Sequence, residues 1–146
     1  ENNLKKQHQV NPADEVIKPN QNEPDPDCQI QEKCSKESYP FKVVSGEGMN
    51  NYPLICFNGK TIVSKELKEN KIGRGLNVVV LEHDTYKVKL NENYDTFTDD
   101  AHLFRMLKSN TNDGDIVIMA SYDEMVNALR EITVKLMELF GSQMFG

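Results

Sequence analysis

The residues of this chain whose types could do chemistry are three cysteines, three histidines, a Gly-Arg-Gly turn and two isolated aspartates. Cys28, Cys34 and Cys56 match no zinc-ligand spacing and form no C-x-x-C redox pair. Buried or incidental thiols and a disulfide arrangement both fit, and in the second case the odd count leaves one thiol without an intramolecular partner. His8 lies in a polar stretch, His83 in a predicted turn and His102 on a predicted helix. None has the neighbouring ligands that a metal requires, so they read as solvated histidines and no metal or cofactor is expected. The segment Gly73-Arg74-Gly75-Leu76-Asn77-Val78 shares two glycines with the dinucleotide fingerprint, but Val78 stands where the third belongs. It also leads into a strand, where the fingerprint needs a helix N-terminus, so nucleotide binding is rejected. A tight turn before a buried strand accounts for the glycines; such a turn would also present the Arg74 guanidinium, a rigid fork suited to paired hydrogen bonds. Asp95, between Tyr94 and Phe97, reads as a turn former at a strand end. Asp123 follows an apolar strand, as a ligand group would, and equally fits a carboxylate at a helix start. The chain has no G-x-S-x-G elbow, H-E-x-x-H or P-loop, and nothing points to an enzyme.

These residues need elements to position them. Phe41–Val44 predicts a short strand. Leu54–Phe57 and Thr61–Val63 flank Asn58-Gly59, a pair that accepts the positive φ angles of a type I′ hairpin turn. Leu76–Leu81 reads as a buried strand interrupted by Asn77, and Glu82–Thr85 as a turn. Tyr86–Leu90 alternates apolar and basic residues, a half-exposed strand. A helix is predicted over Thr98–Asn110, with Asp99 and Asp100 at its positive end and Leu103, Phe104 and Leu107 inward. Asn112-Asp113-Gly114 is a turn before Ile116–Ala120, an all-apolar strand expected at the centre of its sheet. Ser121 with Glu124 has the spacing of a capping box. It predicts a helix carrying Met125, Leu129, Ile132, Leu136 and Phe140 on one face, ended by Gly141. The expected class is α/β, a mixed sheet covered by two helices.

Residues 1–27 differ in composition. They hold Pro12, Pro19, Pro24 and Pro26, no aromatic residue, and mostly Asn, Gln, Glu and Asp. Too little apolar surface is present to offset ordering entropy, so this stretch reads as a disordered polar tail, dispensable for folding, and 28–146 as one domain. The net charge of −6 argues against nucleic-acid partners and against electrostatic attachment to anionic membranes. No apolar run nears the roughly 20 residues that span a bilayer. The chain opens with Glu1 and has no signal peptide, which fits a removed signal or a fragment.

An ordered set of motifs adds a resemblance. Phe41-Lys42-Val43-Val44-Ser45-Gly46, Ile55-Cys56-Phe57, Gly73-Arg74-Gly75-Leu76-Asn77-Val78, Ala120-Ser121-Tyr122-Asp123 and Gly141-Ser142 occur in succession. Residues 28–142 thereby resemble the "family with sequence similarity 3" group of secreted, cytokine-like proteins. The resemblance implies a compact β-β-α fold, an extracellular location and signalling through a protein partner such as a cell-surface receptor. It implies a Cys28–Cys56 disulfide. It also implies that Cys34 lacks its usual partner, because the family continues through an Arg-Asp-x-Trp strand to a final cysteine and this chain stops at Gly146. On that reading the domain is C-terminally truncated, and Cys34 could join two copies covalently. A more distant likeness links the Arg-Gly turn, the aromatic-Asp-Thr-aromatic segment and Gly141-Ser142-Gln143 to the stem domain of the protein O-mannose N-acetylglucosaminyltransferase. That likeness implies a lectin-like alternative, a non-catalytic glycan groove formed by Arg74 and Asp123.

Overall fold

The computed structural model describes residues 28–30, 34–69 and 71–143. The expected disordered tail therefore lies outside the described residues. The strands are β1 (Phe41–Val44), β2 (Leu54–Phe57), β3 (Lys60–Val63), β4 (Gly75–Leu81), β5 (Val88–Tyr94) and β6 (Ile116–Tyr122); the helices are α1 (Ala101–Ser109) and α2 (Glu131–Leu139). They form a compact mixed α/β domain. The strands are divided between two antiparallel three-stranded sheets, ordered β1-β2-β3 and β5-β4-β6, where the sequence suggested one mixed sheet. The short connections after β2 and β4 make β2–β3 and β4–β5 antiparallel neighbours.

β4 explains the layering. All seven of its residues are buried, and alternate side chains point to opposite faces. Val79 and Leu81 pack with Ile55, Phe57, Ile62 and Val63 of the first sheet and with Ile118 and Ala120 of β6. Leu76, Val78 and Val80 pack on the other side against Leu103, Met106 and Leu107 of α1 and Met137 of α2. The order of layers is therefore sheet, sheet, helices, with β4 shared by both cores. The Asn58-Gly59 turn is as expected, both residues having positive φ (48° and 73°). Cys28 and Cys56 are disulfide-bonded, which fastens the start of the described chain to β2. Cys34 is a free, exposed thiol.

Several boundaries differ from the sequence reading. β5 starts at Val88 and runs through Asn91-Glu92-Asn93 to Tyr94. Its polar half is held by the ladder to β4 rather than by apolar burial. β6 pairs with β4 alone, so β4 is central and β6 is not. The predicted capping box does not form: Ser121 stays in the ladder opposite Leu76, and the chain turns at Asp123, whose φ is 57°. α2 begins only at Glu131. Its fully buried residues are Thr133 and Met137; of the expected apolar face Leu136, with Met125 and Leu129 ahead of the helix, packs half-buried against the same core, while Ile132 and Phe140 are exposed. Residues 125–128 are instead tied to the turn before α1. The Ala128 N–H donates to the Thr96 carbonyl (3.1 Å), the Thr96 hydroxyl to the Met125 carbonyl (2.6 Å) and the Asn127 amide to the Phe97 carbonyl (2.9 Å). The C-terminus of α2 is as expected. Gly141 has φ 93°, and the Gly141 and Ser142 N–H groups donate back to the Glu138 and Met137 carbonyls, a Schellman closure.

Candidate functional site

Arg74 stands at the entrance to β4, and its surroundings explain the two glycines beside it. Gly75 has φ 97°, and a Cβ there would lie 2.2 Å from the Tyr94 carbonyl oxygen, so a side chain is excluded by backbone. Two asparagines bind the turn. The Asn77 amide donates to the Gly73 carbonyl (3.1 Å) and its oxygen accepts from the Gly73 N–H (3.1 Å). The Asn93 amide donates to the carbonyls of Gly73 (2.7 Å) and Arg74 (3.1 Å). This is why a polar residue interrupts the apolar β4: buried Asn77 pairs with the part-buried backbone groups of the turn.

The Arg74 fork is engaged on two sides. Nε and Nη2 donate to the two oxygens of Asp95 at 3.0 and 2.8 Å. Nη2 also donates to the Thr98 hydroxyl (3.2 Å), which donates to Asp95 (3.1 Å). The guanidinium carbon lies 4.1 Å from the centre of the Phe97 ring, a cation–π stack. The hydrogen bond from Arg74 is the main cause that holds the Asp95 carboxyl below its ordinary range, and the same bond raises Arg74. Asp95 is thus the partner of Arg74, a role its sequence context did not reveal. The aromatic-Asp-Thr-aromatic pattern was the available signal.

Asp123 comes to the same end of the sheet. Gly75 pairs with Tyr122 in the β4–β6 ladder, so Arg74 and Asp123 leave the sheet side by side. The Asp123 charge adds, after Asp95, to the raised pKa of Arg74. Next to it the Tyr122 ring stacks on Tyr52 with centroids 5.0 Å apart, and its hydroxyl donates to the Met49 carbonyl (2.7 Å). The Tyr122 phenol is raised, first by desolvation and then by Tyr52 and Asp123. The structure therefore brings together Arg74 and Asp123, with Asp95, Phe97 and Thr98 as supports. Nη1 of Arg74 takes no part in the bonds to Asp95 and Thr98. One guanidinium edge and one exposed carboxylate can offer a donor and an acceptor to a hydroxylated ligand. Of the histidines, His83 lies 3.0 Å from Asp84 and His102 lies beside Arg105 on α1. Among the described residues no group of three or more His, Cys, Asp or Glu could hold a metal ion.

The family model "Interleukin-like EMT inducer" matches residues 74–146, half of the chain. The chain belongs to this family. Protein FAM3C of Danio rerio is 29% identical over 115 residues, 79% of this chain and 50% of that protein. Protein FAM3D of Mus musculus is 30% identical over 97 residues, 66% of this chain and 43% of that protein. Protein FAM3A of Homo sapiens is 29% identical over 116 residues, 80% and 50% of the two chains. The chain thus spans about half the length of the curated relatives it matches. The matched part of this interleukin-like, cytokine-like family begins at Arg74 itself and includes β4 to α2.

Proposed function

We propose that this protein is an extracellular, interleukin-like signal that acts by binding a cell-surface protein and performs no catalysis. The observation that carries the reading is the family match over residues 74–146. Two features support it. A disulfide such as Cys28–Cys56 persists in oxidising compartments, the secretory route and the outside of the cell. Exposed large apolar residues concentrate between positions 39 and 52, among them Phe41 on β1 and Met49 in the following loop, and protein-binding surfaces carry such clusters. No helix of the described residues is long and apolar enough to cross a membrane. The test is binding of labelled, oxidised protein to intact cells. Saturable binding abolished by surface proteolysis supports the reading; binding removed only by glycosidases refutes it.

The convergence of Arg74 and Asp123 favours a second reading, a lectin-like site. Because Asp95 and Thr98 already occupy two edges of the guanidinium, the site has few donors left for a sugar, and the expected affinity is low. Titration with O-mannosyl-type glycans tests it, with Arg74→Ala as control. Tight binding unaffected by that substitution refutes the site. The exposed Cys34 thiol fits covalent pairing with a second copy outside the cell. Non-reducing gels should then show a dimer that Cys34→Ser removes, and a single monomeric band would refute the pairing.

A further inference from the structure

The two sheets leave a cleft of about 640 Å³ whose lining includes no residue of the Arg74 turn or of either helix. Its walls come from both sheets: Phe57 and Ile62 from the first, Leu81 and Val88 from the second. Phe57, Ile62 and Leu81 also belong to the buried core, so apolar side chains underlie the cleft beneath a largely polar mouth. Three aromatic rings line it as a group. The Tyr39 and Phe57 rings stack at 5.7 Å, Tyr39 and Tyr86 are 4.6 Å apart, and Phe57 and Tyr86 are 6.0 Å apart.

The position of Tyr86 is enforced. Its φ is 53°, in the left-handed region that a bulky side chain rarely adopts. The turn holds it there, with the Tyr86 N–H donating to the Glu82 carbonyl (3.0 Å) and the Glu82 N–H to the Lys87 carbonyl (2.9 Å). A glycine would suit this backbone better, yet a ring is placed over the cleft. Strain of this kind, where an observed outlier lines a cavity, motivates a search for a ligand.

Charge at the rim specifies the ligand further. Lys60 and Lys87 both line the cleft and are exposed. Among the described residues neither has a carboxylate within ion-pair distance, whereas Lys71, Lys89 and Lys135 each do. The lining also holds one exposed carboxylate, Asp84, so two lysines against one acid leave the rim with a net positive charge. In a chain of net charge −6, two unneutralised lysines at the mouth of an aromatic cleft favour an anionic head group. The volume falls within the range of small-molecule sites, roughly 300–1,000 Å³.

We propose that this cleft binds a small aromatic carboxylate, its flat body among Tyr39, Phe57 and Tyr86 and its acid group at Lys60 and Lys87. The site is independent of the signalling reading, and its test needs no cells. The probe is anilinonaphthalene sulfonate, a planar aromatic anion, titrated into the folded protein and followed by fluorescence. Its neutral relative phenylnaphthylamine is titrated in parallel. The expected result is saturable one-to-one binding of the anion, displaced by indoleacetate. The Lys60→Ala/Lys87→Ala double variant should weaken the anion by about tenfold and leave the neutral probe unchanged, because the exposed charges act on the head group alone. Tyr86→Gly should lose both probes while the near-ultraviolet circular dichroism signal persists; glycine accepts the backbone angle, but the lost ring packing outweighs that relief and the melting temperature falls without loss of the fold. Lys108→Ala, on α1, should bind like the parent. Equal affinity in all variants, binding beyond one equivalent, or displacement by laurate in preference to indoleacetate would overturn the proposal. So would probe binding that accompanies loss of the near-ultraviolet circular dichroism signal, because the probe would then report unfolding.

Discussion

Asp100 joins the starts of the two helices, and its replacement by Asn tests how the helical layer is held. Its side chain is fully buried at the N-terminal boundary of α1, yet it does not cap its own helix. The carboxylate instead accepts the Arg130 backbone N–H at 2.7 Å and the Arg130 Nε, at the N-cap of α2. Burial raises its pKa, but the Thr133 hydroxyl and the Arg130 groups outweigh burial, and the net shift is downward. Asp100→Asn preserves shape and one acceptor while removing the charge from two bonds, each worth about 1.5–3 kcal/mol when charge-assisted. The Arg130 side chain is 54% exposed, so water screens the pair from one side and the lower end applies. The expected loss is about 2 kcal/mol, or about 8 °C in melting temperature for a domain of this size. The pH dependence has a definite sign. A depressed carboxyl pKa contributes stability that is present above the unfolded value, about 3.9, and is lost as pH falls through the folded value. The difference between parent and variant should therefore be full at neutral pH and shrink below about pH 4. Thermal melts by circular dichroism across that range are the assay. Equal melting temperatures at neutral pH, or a difference that grows on acidification, would refute the reasoning.

Three further outcomes are expected. Cys28→Ser, which opens a loop of sequence separation 28, should cost about 3–4 kcal/mol by the chain-entropy model, seen as a matching drop between oxidised and reduced melts of the parent. Gly75→Ala should destabilise by about 2 kcal/mol or more, because both the positive φ and the Tyr94 carbonyl oppose a side chain; denaturant titration measures it. Asp115 accepts hydrogen bonds from Lys89, Asn112 and His83, the Lys89 bond being the main cause that lowers its pKa to about 2. Its contribution should be full above about pH 4, shrink steadily as pH falls from there and be gone near about pH 2, so Asp115→Asn should lower the melting temperature at neutral pH and match the parent at that limit.

The parts of the fold legible in the sequence are those decided locally. Asn58-Gly59 specifies its hairpin through backbone angles alone, and Gly141 ends α2 for the same reason. The apolar run of β4 announces burial on both faces. The parts that were not legible depend on distant partners. Ser121 and Glu124 have capping-box spacing, but Ser121 is held in the β4 ladder, and Thr96, Phe97 and Asp100 take the hydrogen bonds of residues 125–130. The polar end of β5 looks like a loop until Asn93 is seen binding the Gly73-Arg74 turn. The candidate site divides the same way. Arg74 and Asp123 stood out, but the pairing of Arg74 with Asp95 spans 21 residues of chain and only the β4–β5 register creates it. The aromatic cleft likewise exists only once Tyr39, Phe57 and Tyr86 are brought together from separate segments.

The central claim is that this member of the interleukin-like family acts by binding a protein at the cell surface. The most direct measurement is equilibrium binding of the labelled, disulfide-intact chain to intact cells, before and after mild surface proteolysis and, separately, after glycosidase treatment. The account predicts saturable binding that proteolysis abolishes and glycosidases leave unchanged. Binding that is absent, that never saturates, or that glycosidases alone remove would contradict it.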